Sequence, residues 1–173
     1  EVFHVRSEIS RRLVIRSFFR FDFYAELVAL VRRGYFSVDH ARQCAVFLAR
    51  ATALPEALEP LLPEDRSPLI LYPFWGNCPA YACALLKRRR GAKLVTRLHR
   101  YDFLESQYSP KYHPLKKAIA KRADRRLFVA NEGMEYFLKR FRVKPDPERF
   151  LLRLLGSLDG GRSPENRPRS SAS

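Results

Sequence analysis

The segment Arg97-Leu98-His99-Arg100-Tyr101-Asp102 brings an imidazole, a carboxylate and two guanidinium groups together within six residues. Histidine is the side chain whose ordinary pKa lets it give or take a proton near neutral pH, so His99 can bond a sugar hydroxyl or a phosphate. Asp102 can orient that ring or bind a hydroxyl itself, and Arg97 can hold an anionic group. The competing structural reading makes His99 a satisfied histidine at a strand end and Asp102 the cap of a short turn. A second group is Tyr72-Pro73-Phe74-Trp75-Gly76-Asn77. There Trp75 offers a flat face on which a sugar ring can stack, and Asn77 offers an amide for a hydroxyl or for capping the helix that follows. Asn131 and Glu132 are further polar candidates.

Elements must hold these residues at one edge of the fold, and the pattern of apolar residues provides them. Residues 69–72, 94–96, 127–129 and 150–155 are short apolar runs, read as strands. Between them residues 79–90, 114–123 and 132–140 have helical spacing, and Gly91 stops the first of these. Strands alternating with helices of this length predict parallel pairing and a layered α/β domain. In such a sheet the ligand crevice lies at the carboxyl ends of the strands, which is where His99, Trp75 and Asn131 fall. No glycine-rich phosphate loop of the dinucleotide or ATP kind occurs, which removes the usual support for dehydrogenases and kinases.

Upstream, residues 10–33 read as one helix ending at Gly34, and residues 39–54 as a second, capped by Asp39 and ended before Pro55. Phe18, Phe19, Phe21 and Phe23 are too close together to share one helix face, so some must be exposed or meet a partner. The division expected is one domain over residues 1–156, with 1–67 mostly helices and connector and 68–156 the strand–helix repeats, followed by a linker or frayed tail over 157–173. Glu1 is not an initiator methionine and no signal-peptide order follows it, so the numbering is expected to start within a longer gene product.

The chain has 173 residues, 33 of them Lys or Arg against 18 Asp or Glu, a net charge of +15 that calls for an anionic partner. With 46% hydrophobic residues it can bury a core. No apolar run reaches the ~18 residues of a membrane span. Cys44, Cys78 and Cys83 have neither disulfide-framework nor metal-site spacing, so they are read as small apolar residues in a reducing compartment, and no metal site is expected. His4, His40 and His113 have no partner that the sequence names. The basic run Lys87-Arg88-Arg89-Arg90 closes a helix, where cations interact well with the helix dipole. Lys116, Lys117, Lys121 and Arg122 fall on the helix face away from Leu115, Ala118 and Ile119, which predicts a solvated face or one that docks on anionic lipid.

The ordered series Arg97-x-His99-x-x-Asp102, Tyr108-x-Pro110, Ala123-Asp124-Arg125 before an apolar strand, Glu132-Gly133-x-x-Tyr136-Phe137 and Leu155-Gly156-x-x-Asp159 resembles glycosyltransferase family 4 over about Leu69 to Asp159. The resemblance implies one half of a GT-B fold, a Rossmann-like amino-terminal, acceptor-side domain preceded here by helices. It implies retaining transfer of a sugar from a nucleotide-sugar donor to a glycan or lipid-linked acceptor, in cell-surface or capsular polysaccharide biosynthesis, without a cofactor or bound metal. His99 would lie in the cleft near the transferred sugar, and the donor would be bound mainly by a second domain, so that this part alone is inactive. Aligned on Gly133, Ala130 and Asn131 stand where the family carries a serine and an acid. The implied location is cytoplasmic, and peripheral attachment at the inner face of a membrane is compatible with it.

A basic nucleic-acid-binding α/β domain is the alternative that the charge permits. Against it stand the lack of an RNP-like strand, of zinc spacing and of a recognition-helix pair. A non-catalytic α/β scaffold is the third reading.

Overall fold

The computed structural model describes residues 9–63 and 68–153. The elements are α1 (Arg11–Ser17), α2 (Phe21–Arg32), α3 (Val38–Leu58), β1 (Ile70–Leu71), α4 (Cys78–Arg90), β2 (Lys93–Leu98), α5 (Arg100–Phe103), α6 (Lys116–Arg122), β3 (Arg125–Phe128), α7 (Asn131–Phe141) and β4 (Phe150–Leu152). The four strands form one parallel sheet in the order β1-β2-β3-β4, with Leu71 beside Leu94, Arg97 beside Leu127 and Leu127 beside Leu151. This is a Rossmann-like α/β layout, as the alternation of strands and helices predicts.

A sheet wound in consecutive order with right-handed crossovers carries its connecting helices on one face. Burial agrees: Leu71, Leu94, Thr96, Leu98, Arg126, Phe128 and Phe150 are buried, while Ile70, Val95, Arg97, Leu127 and Leu151 on the other face are partly or largely exposed. The helix side is built from three clusters. Leu71, Leu86 and Leu94 join α4 to the first two strands. Leu98, Phe128, Phe137, Phe141 and Phe150 join α7 to the last three. A third cluster of Phe23, Leu30, Leu48, Tyr81, Tyr112 and Ile119 binds the amino-terminal helices to α4 and α6. Between two of these layers, α4 carries Ala80 in the amino-terminal cluster and Ala84 in the sheet cluster, small side chains that let both layers come close to it.

The single helix expected over residues 10–33 is two. Ser10 caps α1 and Ser17 Oγ bonds back to Leu13 O at 2.8 Å, a local bond that competes with continuing the helix. Arg20 then turns extended, and Phe18 meets Phe23 edge-on across the break at 5.0 Å. The phenylalanines separate accordingly: Phe23 is buried, Phe19 and Phe21 are 81% and 84% exposed. In α3, Ser37 rather than Asp39 is the cap, its Oγ accepting from His40 N at 3.2 Å. Pro55 does not end α3, which runs three residues further with that proline buried inside it. The expected tail 157–173 and His4 lie outside the described residues, as do the last two positions of the fourth apolar run. Among the described residues, no helix is long and apolar enough to cross a membrane.

Candidate functional site

β2 is longer than its apolar run, so Arg97 lies within the strand and His99 is the first residue beyond it. The chain turns at once into α5, a single helical turn that the sequence pattern does not announce. Asp102 makes that turn: as its third residue it reaches back so that Oδ2 accepts from the nitrogen of the cap residue, His99 N, at 2.8 Å, and its side chain is fully buried. Burial pushes the Asp102 carboxyl above its usual range, against the pull of the nearby Lys116 charge and of backbone donors. Asp102 thus stands behind His99 rather than on the open crevice, in the structural role the sequence reading weighed for it.

The His99 ring lies against two aromatic rings from the loop after β1, with centroids 4.7 Å from Phe74 and 4.8 Å from Trp75. Its Nε2 is buried and has no hydrogen-bond partner among the described residues. The Arg97 guanidinium sits 5.8 Å from the centre of the Phe74 ring, a cation–π distance, so Phe74 joins His99 and Arg97 in one group. Trp75 remains 44% exposed. Asn77 occupies the cap position of α4, but its side chain makes no capping bond, so the amide is uncommitted to the helix.

The loop is fixed from below. A Cβ on Gly76 would come within 2.1 Å of Leu98 Cδ2 and 3.2 Å of Arg97 O, so only glycine lets the loop lie this close over the end of β2. Gly76 O accepts from Lys116 Nζ at 2.7 Å. Lys116 is buried, which corrects its expected place on a solvated helix face, and burial pulls its amine down to about 8. The reason is local: α6 starts from Leu115 in the left-handed region at φ 59, which turns the first residue of the helix inward. Arg122 is likewise not a free surface cation, since both Asp22 carboxylate oxygens accept from its Nη2, at 2.6 and 2.8 Å. The basic end of α4 is also engaged, Lys87 with Asp124 and Arg89 with Glu59.

Beside the aromatic group, between the ends of β2 and β3, a pocket of about 330 Å³ opens over Leu98, Phe103, Phe128 and Tyr136, with Arg100 and Glu132 on its rim. Gly133 forms part of its wall, where a Cβ would meet Phe103 Cζ at 3.0 Å. Asn131 is exposed in the first turn of α7 and donates to Glu135 at 2.6 Å, which leaves Glu132 as the acidic group facing the pocket. His99, Arg97 and Trp75 therefore form one cluster, Glu132 borders the adjoining pocket, and Asn131 is held by its own helix.

Phe74, Gly76 and Lys116 belong to this site although the sequence reading gave them no role in it. Gly76 carried a signal, since a glycine in the short loop between a strand and a helix lets the backbone come close to a neighbour. The three cysteines are free thiols, and burial pushes Cys78 and Cys83 up to about 11. Among the described residues, no group of His, Cys, Asp and Glu could hold a metal ion. A Rossmann-like α/β domain with an aromatic-lined crevice at its strand ends is the class that fold and site define. No family model, curated protein or solved structure matches the chain, and the reading of the site rests on its own geometry.

Proposed function

We propose that the chain is the acceptor-side domain of a retaining glycosyltransferase of the family 4 type, with the crevice at the ends of β1, β2 and β3 as its sugar-binding half. The observation that carries this reading is the placement of His99 directly after β2 against both Phe74 and Trp75, with its buried Nε2 unpartnered among the described residues. Aromatic faces stack on the C–H faces of a sugar, and an imidazole nitrogen bonds its hydroxyls. Arg97 and Arg100 supply positive charge to the same edge of the sheet for a donor phosphate, and Glu132 supplies an acceptor for a hydroxyl. The location supports the reading too, since α/β sheets bind ligands beyond the carboxyl ends of their strands.

On this reading His99 touches the sugar undergoing transfer, Asp102 is a positioning residue that fixes the backbone of His99, and the nucleotide part of the donor is held by a further domain. The test is sugar transfer from nucleotide-sugar donors by the full-length gene product and its His99→Ala variant. The variant should fold normally and lose about 100-fold or more in turnover. Equal turnover by the two proteins would remove His99 from the site.

A further inference from the structure

α2 buries Phe23, Glu26 and Leu30 against the amino-terminal core and turns Phe21, Tyr24, Val28 and Val31 to the outside. At about 3.6 residues per turn these four fall in one stripe about 80° wide. Val31 is 62% exposed, and Phe19, two residues before the helix begins, is largely exposed as well. A contiguous apolar stripe of this kind marks a surface that leaves water when it acts.

The stripe borders a groove of about 460 Å³ between α2, α6 and the end of α7, with Ala25, Ala29 and Ala118 in its lining. Arg32, Lys117, Lys121 and Arg142 edge it, are exposed, and form no ion pair among the described residues. Its two acids are already satisfied internally, Asp22 by Arg122 and Tyr81, Glu26 by Tyr112 at 3.1 Å. A second hollow of about 640 Å³ shares Lys117, Lys121 and Arg142 and continues to Lys144 and Arg149, with Asp146 as its acidic residue. Arg126 lines it, nearly fully buried, with Nε and Nη1 unpartnered among the described residues.

We propose that this face docks on an anionic phospholipid bilayer, with Phe19, Phe21, Tyr24 and Val28 in the interfacial region and Arg32, Lys117, Lys121 and Arg142 on headgroup phosphates. Charge complementarity selects the partner. A row of unneutralised cations fits a surface of phosphates, and an apolar, aromatic helix stripe beside it fits the plane between headgroups and acyl chains. Nucleic acid would satisfy the cations and leave the aliphatic part of the stripe in water. The inference is independent of the sugar-transfer reading: the second hollow lies at the amino ends of β3 and β4, and His99 lies at the carboxyl end of β2.

The experiment is co-sedimentation of the full chain with vesicles of phosphatidylcholine alone and of equimolar phosphatidylcholine and phosphatidylglycerol. Binding to the mixed vesicles only is expected. Two exposed-site variants separate the contributions: Lys117→Glu with Lys121→Glu, and Phe21→Ser with Val28→Ser. Each should bind the mixed vesicles about tenfold or more weakly while keeping the wild-type circular dichroism spectrum. Equal binding to both vesicle types, or full binding by the serine variant, overturns the proposal. So does tight, salt-sensitive binding of random RNA with no binding of vesicles.

Discussion

Asp102 Oδ2 lies 2.8 Å from the backbone nitrogen of His99, so a buried carboxylate fixes the path of the chain beneath the imidazole. The carboxylate reads as a fold element serving a site element. Replacement by alanine removes this bond to the cap residue and leaves His99 N without its acceptor, and should cost about 1–3 kcal/mol in urea unfolding. Asp102→Asn keeps an acceptor for His99 N and should cost less than the alanine replacement. Equal unfolding midpoints for the alanine variant and the wild type would remove the capping role.

Gly76 connects the aromatic loop to the sheet. A methyl group there collides with Leu98 and the carbonyl of Arg97, and the loop must lift away to relieve it. Gly76→Ala should destabilise the chain by about 1–3 kcal/mol and loosen Trp75, seen as a red-shifted tryptophan emission in the folded protein. An unshifted emission with unchanged stability would mean that the loop is not held as described.

His113 supplies a pH dependence with a definite sign. Burial pulls its imidazole down to about 3, and Lys116 adds to the effect, while Tyr108 packs edge-on against the ring at 4.3 Å. The unfolded chain then binds the proton more readily than the folded one, so stability is lost as pH falls from about 6.5 towards about 3. Replacing His113 with Phe removes that share of the acid-side loss. In melts recorded across this range, the wild type should lose stability more steeply than His113→Phe; parallel curves would contradict the assignment.

Much of the strand–helix half was legible because its signals are local. Gly91 sits at φ 66 just past α4, as a helix-ending glycine should, and the apolar runs all mark strands. What the sequence concealed depends on contacts between distant segments. Lys116 looked like a solvent residue because its neighbours are basic, but its helix begins from left-handed Leu115 and points the amine at Gly76 O, forty residues away in the chain. Pro55 looked like a terminus, and instead the helix absorbs it where tertiary packing buries it. His99 and Trp75 were legible as strand-end residues, whereas their joint stacking with Phe74 is a property of the folded loop.

Trp75 is the single tryptophan of the chain and stands against His99, so its fluorescence reports directly on the crevice. The most direct measurement of the central claim is a titration of this emission with a panel of glycans and nucleotide sugars, run on the wild type and on His99→Ala. The account predicts a saturable change with at least one sugar ligand, weakened about tenfold or more in the variant. An emission that no sugar ligand alters, or a response that His99→Ala leaves intact, would contradict it.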